Sequence, residues 1–574
     1  MPLLVNPFKK HDVSEFPGVL VPLQQAPHRA SIASQRRTSI ISAHSRKDDK
    51  GEKTESDAGS ASDIGLTIDT LRVEVEADLA ASELQSSYDR KSKVINKAIQ
   101  DIGMGRYQWQ LFVLCGFGWL ADNLWLQGVA LTLPQLSVEF GVSQNNVRYT
   151  TLALFVGLCI GASFWGTASD VIGRRLAFNM TLFLAGVFGL AAGGGPNWIG
   201  TCALFSCLGL GVGGNLPVDG ALFLEFLPFQ SGNLLTLLSV FWPVGQLIAS
   251  LIAWGFIPNY SCPDDVEPGQ CPSSENWGWR YFVLTLGALT FLMFACRFFL
   301  FHLFESPKFL LSRGRQSEAV AVVHGIAWHN RSKTWLTEQI LNEIGGDPEV
   351  ITDAKLSTVE IVRRSLGKFS TQRVGPLFNN RKLGLTTVLI WFQWTTIGMA
   401  YPLFNAFLPQ YLANSGSGAP TATNIVYRNY AITSIVGVPG SIFACYTVDI
   451  KHVGRKGTMA IATLITAIFI FCFTISTDPN FQLAFTCLEA LFQNIMYGVL
   501  YAYTPEVFPA PNRGTGTGIA SFLNRVAGLC APIVAVNAGN ANPKAPIYAS
   551  GGLFLAAFVS MLLLPIETMG KQSL

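Results

Sequence analysis

Three ionisable side chains stand where a chain rarely carries any. Asp122, Glu489 and Arg525 each lie inside a long run of apolar residues. A charge in the middle of a bilayer costs at least about 2.5–3.5 kcal/mol on insertion scales, so each asks for a partner or a task. Asp122 is the foremost candidate for taking up a proton or a cation, because burial disfavours a charged carboxylate and makes its protonation accessible. Glu489 is the second candidate for a proton. Glu489 and Arg525 also read as a structural ion pair, and Arg525 equally as a receptor for an anionic solute. Asp219 and Arg297, nearer the ends of their runs, read as gate or snorkelling residues. The amides Gln127, Asn215, Gln246, Gln393, Gln493 and Asn494 share these apolar runs, where hydrocarbon offers them nothing, and can direct hydrogen bonds at a small organic molecule. Trp119, Trp125, Trp242, Trp391, Phe392, Trp394 and Tyr401 can wall a cavity around it. All seven His lie outside the deep apolar runs, so a carboxylate must carry any proton. There is no Cys/His metal spacing, no phosphate-binding Gly-rich loop and no hydrolase elbow, so neither metal, cofactor nor enzyme chemistry is expected.

These side chains need elements that hold them in a membrane. The chain has 574 residues, 49% hydrophobic and only 13% charged; a soluble domain carries about 25% charged residues. Too little polar surface remains for a water-facing globule. A formal net charge of +3 with no basic reader helix also sets nucleic acid aside. Two stretches, the first hundred or so residues and Glu305 to Arg381, hold most of the charge, and outside them lie apolar runs long enough to cross a bilayer as helices. We place twelve spans at 109–133, 147–168, 176–194, 198–222, 234–257, 281–303, 383–408, 427–448, 459–475, 481–503, 514–536 and 547–564. The fold class is an all-α membrane protein. Its expected parts are a disordered cytosolic tail (1–106), a six-helix bundle (107–303), a cytosolic central loop (304–381), a second six-helix bundle (382–568) and a short cytosolic C-terminus (569–574). The stretch from Ser92 to Gly105 reads as an amphipathic helix leading to the membrane.

Charge asymmetry orients the spans. Lys and Arg crowd the junctions after spans 2, 6, 8 and 10, which places those junctions and both termini in the cytosol. The loop between spans 5 and 6 then faces outward. It alone combines a glycosylation sequon at Asn259 with a polar-loop cysteine pair, Cys262 and Cys271, both of which need the non-cytosolic side to be used. In the tail, Arg36-Arg37-Thr38-Ser39-Ile40 makes Ser39 a phosphorylation candidate.

The junctions repeat. Asp170, Gly173, Arg174 and Arg175 after span 2 match Asp449, Gly454, Arg455 and Lys456 after span 8, and Glu225 after span 4 matches Glu506 after span 10. Arg455 follows Arg174, and Glu506 follows Glu225, by the same 281 positions. Glu305-Ser306-Pro307 and Pro565-Ile566-Glu567 close the two halves alike. Two pseudo-symmetric six-helix halves follow, with the Gly allowing a tight turn and the Arg–carboxylate groups latching a bundle. Arg513 stands just beyond the second of these motifs.

Gly166-x-x-x-Asp170-x-x-Gly173-Arg174-Arg175, Glu305-Ser306-Pro307 and Tyr503-Thr504-Pro505-Glu506-Val507-Phe508-Pro509 resemble the major facilitator superfamily. Gly118-Trp119-Leu120-Ala121-Asp122 and Glu225-Phe226-Leu227-Pro228 are similar to its synaptic-vesicle-glycoprotein-related members, near the sugar-porter and organic-ion branches. The resemblance spans about Gly105 to Gly570 and implies the major facilitator fold and alternating access around a central cavity. Phe205 and Ser206 stand where sugar porters carry an Arg in span 4. The segment Gln230 to Asn233 also lacks the Arg expected there, which leaves the first-half gate partly unpaired. The resulting expectation is a monomeric secondary transporter in the plasma membrane, moving a small organic solute, coupled to protons through Asp122 and Glu489. An exporter of organic ions or metabolites, and a non-transporting receptor with the same fold, are the alternatives.

Overall fold

The computed structural model describes residues 9–25, 67–80, 87–228, 234–263, 266, 269–346, 374–413, 422–447, 453–508 and 513–567. Twelve long helices form its body, numbered here α1 to α12. In the first half these are α1 (Arg106–Phe140), α2 (Tyr149–Ile172), α3 (Arg174–Ala192), α4 (Trp198–Phe226), α5 (Leu238–Phe256) and α6 (Gly278–Leu300). The second half has α7 (Arg381–Phe404), α8 (Thr423–Thr447), α9 (Gly454–Phe473), α10 (Pro479–Val507), α11 (Arg513–Ala541) and α12 (Ala545–Leu562). All but α1 and α8 contain an 18-residue stretch apolar enough to cross a membrane.

Local signals set the helix starts. Asn197, Asn380 and Asp478 each cap a helix by accepting from a backbone N–H, and Pro479 follows Asp478 at the first helical position. Packing repeats between the halves. In the first, α1 lies on α5, α2 on α4, and α3 on both α4 and α6; in the second, α7 lies on α11, α8 on α10, and α9 on both α10 and α12. The bundles meet through α2 against α11 and α5 against α8, a pair of contacts that is itself two-fold related. Where α2 and α4 cross, a Cβ on Gly157 would lie 2.0 Å from the carbonyl of Ser206. Helix backbones so close are the usual membrane solution, since lipid offers no hydrophobic drive to association.

The region expected to be a disordered tail is partly folded. Helices Ile68–Ala80 and Ser87–Ile102 pack with Pro307–Ser312, Gln316–His329 and Glu338–Gly345 of the central loop. Leu71, Val75, Val94, Ile95, Ala98 and Ile99 are buried in this second core, and Leu20 bridges to Thr334. The amphipathic helix expected over Ser92 to Gly105 is found as Ser87–Ile102, and its apolar stripe folds against the central loop, a contact that the composition of the tail does not report. Ser39 and Asp449 lie outside the described residues, as does the side chain of Arg513.

Candidate functional site

The central cavity sits between the bundles, with a volume of about 70 Å³. That is well below the roughly 300–1,000 Å³ of open small-molecule sites, so the bundles are closed down on it in this conformation. Its wall includes Asp122 and Asn123 from α1, Trp242 and Gln246 from α5, Tyr401 from α7, Gln493, Asn494, Tyr497 and Tyr501 from α10, and Asn524 and Arg525 from α11. Of the residues expected from sequence, Asp122, Gln246, Gln493, Asn494 and Arg525 face this space together. Gln127 lines a smaller adjoining hollow, where it donates to Ser250 and accepts from Tyr430.

Three expectations are corrected. Arg525 does not pair with Glu489 inside the second bundle: its Nη2 donates to Asp122 Oδ1 at 3.2 Å, across the interface between bundles. Both partners are buried, so the bridge lies in low dielectric where removing one side is costly. Glu489 is wholly buried behind the cavity wall, where Gln493 Nε2 (2.6 Å) and Asn405 Nδ2 (3.3 Å) donate to its Oε1. Its Oε2 has no partner among the described residues. Asp219 and Arg297 do not snorkel; they form a fully buried pair at 2.8 Å. Arg297 also donates to the carbonyls of Leu114 and Phe178 and stacks 3.7 Å over the Phe178 ring, tying α6 to α1, α3 and α4. Asn215 donates to the Gly118 carbonyl between α4 and α1, and Gln393 is buried with both amide atoms unpartnered among the described residues. Neither lines the cavity.

The repeated junctions form matching clusters. Arg174 bonds both Asp170 and Glu225 (3.3 Å to the latter), so the first-half gate is paired despite the missing Arg. Arg455 likewise bonds Glu506. Gly173 and Gly454 take positive φ, +108° and +61°, turning the chain into α3 and α9. Sequence reading missed the next layer. Glu305 accepts from the backbone N–H groups of Arg174 (2.9 Å) and Arg175 (3.2 Å), and Glu567 from those of Arg455 (3.2 Å) and Lys456 (3.1 Å). Each carboxylate therefore caps the positive N-terminus of a helix in its own half. The matching Glu residues that end both halves were the available signal.

Polar contacts between the bundles lie at mid-depth and towards the end carrying the Cys262–Cys271 disulfide. Arg148 donates to Gln410 (3.0 Å) and to the Ala535 carbonyl (2.9 Å) while lying over Phe407 and Tyr411. Tyr427 donates to the Leu131 carbonyl and Trp254 to Asn424. On the opposite side of the cavity, Trp242 packs against Tyr501 at 4.4 Å and against Trp119 at 4.9 Å, and Trp394 meets Tyr501 at 4.6 Å. Of the expected aromatic wall, Trp242 and Tyr401 line the cavity. Trp125 is buried within the first bundle, donating to Thr290, and Phe392 is exposed on the outer surface. Asn123, Asn524, Tyr497 and Tyr501 were missed, since nothing in a single span reveals which face meets the other bundle. Asn259 is exposed just past α5, its amide turned back to the Gly255 carbonyl.

Residues 111–573 match the family model described as sugar (and other) transporter. The chain is 45% identical over 492 residues to the MFS siderochrome iron transporter 1 of Ceriporiopsis subvermispora, covering 86% of this chain and 93% of that one. It is 40% identical to the major facilitator-type transporter hxnZ of Emericella nidulans, covering 92% and 95%. With the synaptic vesicle 2-related protein of Rattus norvegicus the identity is 25%, covering 92% and 91%. In shape it is similar to the xylose transporter XylE from E. coli in a partially occluded inward-open conformation. That likeness has a TM-score of 0.58 at 18% identity and covers 81% of this chain and 99% of the other.

Proposed function

The chain belongs to the sugar (and other) transporter family of the major facilitator superfamily, and from that membership we propose that it is a proton-coupled carrier of a small organic solute. The observation that carries this reading is the Asp122–Arg525 bridge. It is an ion pair that joins the two bundles at the wall of the cavity. Closing and opening a route to the cavity requires the bundles to move relative to each other, and that motion must make and break the bridge. Protonating Asp122 releases Arg525 and loosens the tie between bundles, which links proton uptake to the conformational step. Glu489, a buried carboxylate held by two amides with no cation, is a second place for a proton.

In this reading the Arg174 and Arg455 clusters and both termini face the cytosol, supported by the excess of Lys and Arg there. The Cys262–Cys271 loop then faces outward, with Asn259 open to glycosylation in a plasma-membrane monomer, and Ser39 is a phosphorylation candidate on the cytosolic side. The similarity to a siderochrome iron transporter adds siderochromes to the solutes worth testing.

Proteoliposomes loaded with the full chain test the proposal. An imposed inward proton gradient should drive accumulation of at least one compound from a broad metabolite panel. Asp122→Asn should abolish gradient-driven accumulation and preserve exchange of the same solute between the two sides. No accumulation of any compound, or undiminished accumulation by Asp122→Asn, overturns the reading.

A further inference from the structure

Resting on the proton-coupled reading, we propose that the solute carries a carboxylate on a flat, unsaturated body and that this carboxylate replaces Asp122 on Arg525. The argument starts from an asymmetry. A proton can neutralise Asp122, whereas a guanidinium stays charged at any physiological pH. When Asp122 is protonated, Arg525 is left buried in the cavity wall without its counter-charge. Among the described residues lining the cavity, Arg525 is the one Lys or Arg. A neutral solute would leave that cation bare, and a cationic solute would add a second positive charge beside it. An anion restores balance.

The present contact leaves room for such a replacement. Asp122 meets Arg525 through a single 3.2 Å contact rather than the two-pronged pairing that guanidinium and carboxylate prefer. Tyr497 and Tyr501 line the same cavity as Asp122 and Arg525. Neither tyrosine hydroxyl makes a hydrogen bond among the described residues, so both are available to the second oxygen of a bound carboxylate. The rest of the wall presents Phe155, Trp242 and Tyr401 as flat apolar surface, with amides from α1, α5, α10 and α11 between them. Flat rings offer their faces to a flat ligand. The proton on Asp122 and the anion on Arg525 then travel together as a pair without net charge.

Calorimetric binding to the purified full chain tests this with benzoate, phenylacetate and cinnamate, each set against its carboxamide. The acids should bind and the carboxamides should not, with a difference on the order of a hundredfold, because a neutral ligand leaves Arg525 unpaired. Acid affinity should fall by up to about tenfold for each pH unit of increase, the limit for one linked proton. Asp122→Asn should keep acid binding and flatten its pH dependence. Arg525→Gln should lose acid binding, and Arg525→Lys, which keeps the charge and guards against misfolding, should retain the preference for acid over amide. Carboxamides binding as well as acids, no acid binding, or an unchanged pH slope in Asp122→Asn each overturn the proposal. Gradient-driven accumulation of neutral compounds but of no acid would sink it and leave the carrier reading standing. Accumulation of nothing would sink the carrier reading itself.

Discussion

Two buried acidic residues on cavity-forming helices should answer neutralisation in opposite ways. Asp219 faces Arg297 at 2.8 Å with no water-exposed surface on either side chain, so Asp219→Asn leaves a buried cation without its partner. We expect a loss of about 3–5 kcal/mol in stability. Glu489 faces only amides, and its Oε2 has no partner among the described residues, so Glu489→Gln removes no attraction between charges. Its stability should change by less than about 1 kcal/mol. Thermal unfolding of the two variants in one detergent checks the pair; equal losses would mean that Glu489 is charged and compensated. The sequence pointed to all of these residues, because a charge in an apolar run is visible without a structure. It could not assign partners. Arg525 and Glu489 share a half of the chain, and the pairing across halves with Asp122 arises only from how α1, α2 and α11 come together.

Helix starts, by contrast, were partly written in the repeat. Gly173 and Gly454 announced two tight turns, and the equal spacing of Arg174 to Arg455 and Glu225 to Glu506 announced two matching clusters. The capping carboxylates Glu305 and Glu567 come from more than a hundred residues downstream, a separation that no local pattern reports. Because each accepts from two backbone N–H groups at a helix start, Glu305→Gln and Glu567→Gln should each cost about 1–2 kcal/mol, in parallel across the halves. Hydrogen exchange of the first turns of α3 and α9 reads this directly; faster exchange at one helix alone would break the proposed equivalence. The N-terminal segment offers a pH-dependent counterpart. His302, just beyond α6, contacts His11 at 3.1 Å and lies near His329, with Lys9, Glu15, Arg106 and Arg175 around the group. Burial, followed by the neighbouring His11 and His329, pushes His302 down to about 4. The undocked state, with His302 uncovered, therefore binds more protons between roughly pH 6.5 and 4, and docking weakens as pH falls through that window. Limited proteolysis within residues 9–25 should accelerate from pH 7.5 to 5, and His302→Gln should remove most of the change.

At the scale of the whole molecule, the two bundles are held by unlike seals. Towards the disulfide end the seal is polar and centred on Arg148, which satisfies Gln410 and the Ala535 carbonyl at once and lies over two aromatic rings. On the other side of the cavity it consists of packed rings, Trp242 against Tyr501 and Trp119. Ring contacts are non-directional and can be shed gradually, whereas the Arg148 contacts depend on one side chain reaching three elements. Arg148 ends the short 3-10 turn Asn146–Arg148 just before α2, a position that gives no hint in the sequence that it reaches the second bundle. Arg148→Ala should therefore act on the balance of conformations rather than on folding. Losing the Arg148 donors to Gln410 Oε1 and the Ala535 carbonyl disfavours the closed disulfide end by about 1–3 kcal/mol, a shift of roughly 5- to 150-fold towards opening there. A cysteine placed at Asn145, which bonds Asn540 across the same seam, reports that opening through its maleimide labelling rate, read peptide by peptide. Labelling should rise severalfold in Arg148→Ala and less in Arg148→Lys, which keeps the charge but not the planar fork of donors. An unchanged rate with an unchanged unfolding temperature would show that the closed end rests on the remaining contacts of Tyr427 and Trp254 instead.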